Sequence, residues 1–136
     1  MRNTLVKIII LLFIFLIVAC SNCTESQDED VLHNVWVAQD EDFRNPKTLK
    51  SADEFDKNKY GFKILSDGVF IERKNSGWCG TPPIAYSNFY GAWEKLSEDT
   101  LEIVVEFWGG IEVFRMEILS INEDELIINY IYDYEE

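Results

Sequence analysis

Basic residues are scarce in this chain. Twelve Lys and Arg stand against 25 Asp and Glu, a formal net charge of −13. Affinity for nucleic acid comes from Lys and Arg displacing counterions, so no nucleic-acid partner is expected. Docking on anionic lipid through a basic patch is excluded on the same ground. Histidine is nearly absent: His33 is the only one, and no local motif surrounds it. A Cys–His nucleophile pair therefore lacks its base, and neither zinc spacing, nor a Gly-rich phosphate loop, nor a Ser-His-Asp pattern occurs. The chain is read as a non-enzyme, with no metal and no cofactor. Beyond residue 20 no stretch shows a convincing 3.6-residue period, which excludes a helical bundle. Aromatics, in contrast, make up 14% and hydrophobic residues 47%, too many for a disordered polyelectrolyte. The 136 residues make one domain, long enough for its own core.

The one long apolar run comes first. Met1 to Lys7 carries Arg2 and Lys7 and no acid, and Ile8 to Ala19 then reads IIILLFIFLIVA. Twelve helical residues span about 18 Å, short of the ~30 Å hydrocarbon core. A basic start followed by 7–15 apolar residues marks a secretory signal peptide. An uncleaved anchor helix starting at Leu5 is the alternative.

The residues after the run set the type of signal. Ile17-Val18-Ala19-Cys20 resembles a bacterial lipobox. The resemblance implies cleavage before Cys20, diacylglycerol on its thiol and an acyl chain such as palmitate on its new amine. The other reading is a Cys that happens to follow an apolar run. Two or three acyl chains, at ~0.8 kcal/mol per buried CH₂, anchor firmly. Ser21 rather than Asp follows, which favours the outer membrane over inner-membrane retention. Cleavage also removes Arg2 and Lys7, leaving 10 basic against 25 acidic side chains, −15. Ser21 to Asp30 (SNCTESQDED) has nothing apolar to bury and reads as a solvated tether. Acidic tethers of this kind resemble surface-export signals, and a plain spacer is the alternative. The division is signal peptide 1–19, lipidated Cys and tether 20–31, and folded domain 32–136.

The domain is patterned as strands. Leu101, Ile103, Val105 and Phe107 alternate with Glu102, Val104 and Glu106, a two-residue period with one buried face. Trp108-Gly109-Gly110 follows as a turn. Ile111 to Ser120 sets Phe114, Met116 and Ile118 on one face, and Leu126 to Tyr134 is another strand after the turn at Asn122-Glu123-Asp124. Upstream, Tyr60 to Leu65 and Val69 to Arg73 flank Ser66-Asp67-Gly68, a strong hairpin signal. Tyr86 to Leu96 is a long strand expected to bulge or bend at Gly91. Val35 to Ala38 opens the set. Asp40 to Lys59 is a long connection, expected as a flap, a lid or a weak strand around Phe43 to Leu49. Within it Ser51 to Asp56 (SADEFD) has the spacing of a capped helical turn. Seven to eight sequential antiparallel strands close into a barrel because closure removes exposed edges.

A lipidated Cys, Trp36 in the first strand, a long first connection and Asp67-Gly68 in a hairpin resemble the small lipocalin-like lipoproteins of Gram-negative bacteria. Over Leu32 to Tyr134 the resemblance implies an all-β, antiparallel, up-and-down barrel, and an apolar cavity as one option. Lipocalins start Gly-x-Trp, whereas this chain has Asn34-Val35-Trp36.

Four tryptophans are candidate contacts for a ligand or partner: Trp78, Trp36, Trp93 and Trp108. Asn75 to Pro83 (NSGWCGTPP) is the most distinctive segment. Its Pro pair forces extended backbone and its glycines permit sharp turns. Trp78 is either a plug over the barrel end or a binding-surface aromatic. Cys23 and Cys79 remain after lipidation. In an oxidising compartment they are a candidate disulfide, which would stabilise by about 4 kcal/mol on the chain-entropy view. Two unpaired thiols are the alternative. Asp28-Glu29-Asp30 and Asp40-Glu41-Asp42 do not alternate ligands around a Gly as Ca²⁺ sites do, and read as solvated acid. Trp36, Phe62, Phe70, Trp93, Phe107 and Phe114 are expected to point inward, filling a core or lining a cavity for a fatty or aromatic ligand. Two functions follow: a lipid-anchored module that binds an apolar small molecule, or a structural or inhibitory protein that contacts an envelope partner through Trp78.

The lipobox reading has a direct test. Cys20→Ala yields an unprocessed precursor that takes up no labelled palmitate in cells. Label retained by the variant would contradict the assignment.

Overall fold

The computed structural model describes residues 27–39, 45–77 and 84–132. The apolar leader, Cys20, Cys23, the acidic run 40–42, Trp78 and Cys79 lie outside the described residues. Those described form a short helix, α1 (Gln27–Leu32), and eight strands: β1 (Val35–Ala38), β2 (Lys47–Ala52), β3 (Gly61–Ile64), β4 (Val69–Asn75), β5 (Tyr86–Lys95), β6 (Thr100–Phe107), β7 (Gly110–Ile121) and β8 (Glu125–Ile131). The strands close into an antiparallel barrel. The expected all-β closed barrel is therefore the observed fold. No helix among the described residues is long and apolar enough to cross a membrane.

From β3 to β8 the barrel is the meander that the alternation predicts. The first strands depart from it. The order around the barrel is β1-β2-β8-β7-β6-β5-β4-β3, with β3 returning to β1. So β1 sits between β2 and β3, and the chain must cross over β1 to pass from β2 to β3. The crossover covers the outer face of β1. Trp36 and Ala38 face the core, yet Val35 and Val37 on the opposite face are buried too. A Cβ on Gly61, which pairs with Val37, would stand 3.4 Å from the Phe55 ring. Arg73, opposite Gly61 on β4, then fastens the crossover. Its Nε donates to the carbonyl of Asp56 (2.9 Å) and an Nη donates to that of Lys57 (2.9 Å). The other Nη donates to Asn88 Oδ1 (2.8 Å).

Four local expectations are corrected. Ser51 and Ala52 belong to β2, not to a helical turn, because Ser51 pairs with Trp36 and its N–H donates to the carbonyl of Asp124. The weak strand expected at Phe43 to Leu49 lies a few residues later, at Lys47–Ala52. Gly91 marks no bulge, since β5 keeps its register with both neighbours. Its role is close approach: a Cβ there would stand 2.1 Å from the Val104 carbonyl and 2.7 Å from Val105 Cα. The register shift of the sheet lies instead between Ile118 and Ser120 of β7. Gln27 to Asp30, expected in the tether, belong to α1, which leads into the core through Leu32. At Asp67-Gly68 the hairpin is as expected. Gly68 takes a φ of 87°, and its N–H donates to the Leu65 carbonyl.

The interior has two ends. At the closed end lie α1 and the turns around Ser66, Ser97 and Glu123. The Trp36 indole donates to the Leu32 carbonyl there (3.1 Å), and Trp93 donates to that of Leu65 (2.7 Å). Above them Leu49, Phe62, Ile64, Phe70, Leu101, Ile103, Met116, Leu126 and Ile128 form a solid apolar layer, all buried. At the other end, the mouth, are the first residues of β2, β3 and β5 and the last of β4 and β8.

The Arg73→Ala variant removes the two hydrogen bonds by which this side chain holds the crossover on the barrel wall. At about 0.5–1.5 kcal/mol for each exposed bond, a loss of roughly 1–3 kcal/mol is expected in urea unfolding. An unchanged midpoint would mean that the crossover is held by other contacts.

Candidate functional site

Strand alternation sends every second side chain inward, charged or not. On β4 the inward set is Phe70, Glu72 and Lys74, and on β7 it is Glu112, Phe114 and Met116. With Tyr60 just before β3, Tyr130 on β8 and Lys47 on β2, these side chains build a polar cluster in the mouth half of the barrel. The Tyr60 hydroxyl donates to Glu72 Oε1 (2.8 Å). The Tyr130 hydroxyl lies 2.7 Å from that of Tyr60. Tyr60 uses its one proton on Glu72, so Tyr130 donates to Tyr60. Lys74 Nζ stands 2.6 Å from Glu72 Oε2 and 3.2 Å from Glu112 Oε2. The contact with Glu72 is an ion pair without hydrogen-bond alignment, and Oε2 has no other partner among the described residues. Lys74 also lies over the Phe89 ring at 5.5 Å, and Lys47 over Tyr60 at 5.4 Å.

Exposure rises along this chain of charges. The side chain of Glu72 is 5% exposed, that of Lys74 17% and that of Glu112 36%. Burial pushes the Glu72 carboxyl above its usual value, against the opposing pull of the Lys74 ammonium and the Tyr60 hydroxyl. Burial likewise pushes both phenols well above 10, with the Glu72 charge adding to the rise. Their hydroxyls therefore stay protonated as donors throughout the physiological range. Around the cluster Phe114 meets Tyr130 at 5.5 Å and Tyr132 at 5.7 Å, and the two tyrosines stack at 6.5 Å.

The tryptophans singled out in the sequence part company. Trp36 is fully buried, and Trp93 packs on the core beside His33 (6.1 Å between rings). Both turn their indole N–H toward the closed end. Trp108 is 57% exposed on the β6–β7 hairpin at the mouth, against the Phe107 ring. Trp78 lies outside the described residues, as do Cys20, Cys23 and Cys79. Phe62, Phe70 and Phe114 are buried as expected. Among the described residues no cluster of His, Cys, Asp and Glu is arranged to hold a metal. Sequence reasoning missed Glu72, Lys74, Glu112, Tyr60 and Tyr130. The signal was present: Glu72 shares strand parity with Phe70, and Glu112 with Phe114.

The raised carboxyl of Glu72 has a consequence for stability. A folded-state pKa above the unfolded value of about 4.5 gives a contribution that is complete below that value. It is lost as pH rises through the folded value. Relative to Glu72→Gln, the wild type should therefore lose unfolding free energy as pH increases from 4.5 upward, then level off. Urea titrations of both proteins at several pH values measure the difference. A wild type that gains on the variant over that range would show that Lys74 outweighs burial.

No family model, curated protein or solved structure matches this chain.

Proposed function

We propose that this protein is a lipid-anchored, non-enzymatic binding module of the bacterial envelope, which holds a small molecule with an apolar part in the mouth of its barrel. The observation that carries this reading is the divided interior. An eight-stranded barrel is just wide enough to be filled by side chains or to hold one small ligand. Here the closed-end half is solidly apolar, while the mouth half mixes partly exposed aromatics with a buried carboxylate. A buried ion pair commonly stabilises less than apolar side chains of the same volume. A cluster of this kind suits recognition better than it suits folding. The anchor is Cys20, with the outer membrane as its location, on the strength of the lipobox resemblance.

A second reading, contact with an envelope protein, rests on the outer wall. Val104 and Val113 face each other across β6 and β7, with Ile111 68% exposed beside them and Trp108 at the hairpin tip. Single exposed apolar residues are ordinary, but a cross-strand group beside a Trp is a contact surface in its own right.

The first reading is tested with 3-phenylpropan-1-ol, a neutral soluble arene. Aromatic NMR correlation spectra of the full-length protein in neutral detergent should show saturable shifts at Phe114, Tyr130 and Tyr132. A Kd on the order of 1 mM is expected for so small a probe. Tyr132→Ala should weaken binding roughly two- to tenfold, the worth of one aromatic pair at ~0.5–1.5 kcal/mol. Shifts that never saturate, or that spread evenly over the barrel, would count against a mouth site.

A further inference from the structure

Among the described residues, donors and acceptors in the mouth are not balanced. The Tyr60 proton is used on Glu72 and the Tyr130 proton on Tyr60. The Lys74 ammonium is engaged by Glu72, by Glu112 and by the Phe89 ring. Acceptors, in contrast, are left over. A phenol oxygen that donates its proton keeps lone pairs, so the Tyr130 oxygen can accept. The Glu112 carboxylate shares one ammonium with Glu72 and is the more exposed of the two. Two carboxylates share the Lys74 ammonium beside stacked aromatic faces, while Lys47 is turned onto the Tyr60 ring.

We propose that the ligand is an organic cation, a primary amine on an aromatic or short apolar body. Its ammonium would sit between Glu112 and the Tyr130 hydroxyl, with its body against Phe114 and Tyr132. The proposal rests on the mouth-binding reading above and names the ligand's class. An ammonium brings three donors to a site that has acceptors to offer, and its charge is attracted to the faces of aromatic rings. Glu112 reaches the same Lys74 ammonium that Glu72 does, so it lies within the same cluster. An anionic headgroup, such as that of a fatty acid, would compete with two carboxylates for Lys74. Lys47, the other inward cation, is buried and turned onto the Tyr60 ring. The chain's charge of −13 further draws cations and repels anions at long range.

The experiment compares three probes with one phenylpropyl body in the full-length protein in neutral detergent: 3-phenylpropylamine, 3-phenylpropan-1-ol and 3-phenylpropionate. The amine should bind roughly tenfold tighter than the alcohol, the worth of a hydrogen bond to a charged group. The propionate should bind more weakly than the alcohol. In the Glu112→Gln variant the amine should bind no tighter than the alcohol does to the same variant. In wild-type protein, 0.5 M NaCl should shrink the amine's advantage and spare the alcohol, which covers the case in which the variant fails to fold. A propionate that binds as well as the amine, or an amine advantage that survives Glu112→Gln, would overturn the inference. Alcohol binding without any amine preference would overturn it too, yet leave the binding module standing. If none of the three shifts the mouth resonances, both fall.

Discussion

The pairing of β2 with β8 makes this sheet a barrel, and the interior exists only because that seam closes. Four register pairs, Lys47 to Lys50 against Ile128 to Glu125, join segments more than 70 residues apart. Side chains lengthen the seam at both ends. Toward the mouth, Asn45 mimics one more ladder pair, its Nδ2 donating to the Tyr130 carbonyl (2.7 Å) and its Oδ1 accepting from the Tyr130 N–H (3.0 Å). Toward the closed end, the Ser51 N–H donates to the Asp124 carbonyl (3.0 Å), and Lys50 meets Glu125 at 2.8 Å. That surface ion pair adds little, since exposed pairs contribute about 0–1 kcal/mol. Backbone pairing and the burial of Leu49, Leu126 and Ile128 do the holding. With the seam open, Glu72 and the two phenols would lie in water, and their pKa shifts would vanish with their burial.

Closure also decides which residues share a site. Tyr60 and Tyr130 are 70 positions apart, yet their hydroxyls touch, because β1 and β2 are the only strands between the edges of β3 and β8. Lys74 and Glu112 meet across the lumen rather than along one strand. The polar cluster is thus a property of the closed barrel and not of any local motif.

Much of the fold was legible where one face is apolar. Thr100–Phe107 alternates without interruption and is found at the expected bounds, and Asp67-Gly68 marks its turn. Three things were not legible. Lys47–Ala52 (KTLKSA) has a weak pattern because Lys47 points inward, so the sequence marks its strand too early. The seat of β1 between β2 and β3 rests on long-range pairing and on a crossover that Arg73 binds through backbone carbonyls, which no periodicity encodes. The mouth cluster is hidden in the sequence, because the ordinary rule assigns charged residues on strands to the solvent face. In a barrel with an accessible end that assignment fails near the mouth, where an inward charge can find a partner across the lumen.

The placement of α1 bears on how an anchored barrel would present its site. The helix lies at the closed end, where its Leu32 carbonyl takes the Trp36 indole proton and His33 stands against Trp93. The chain therefore enters the domain opposite the mouth. If Cys20 carries the lipid, seven residue steps separate it from Gln27, at most ~25 Å when fully extended. The mouth is then the end remote from the attachment point, with strands of seven to twelve residues at ~3.3 Å each, some 20 Å or more, between the two. In the orientation that sets the closed end toward the bilayer, a ligand would reach Glu112 and Tyr130 from the aqueous side, where a carboxylate and phenols are suited to recognise it.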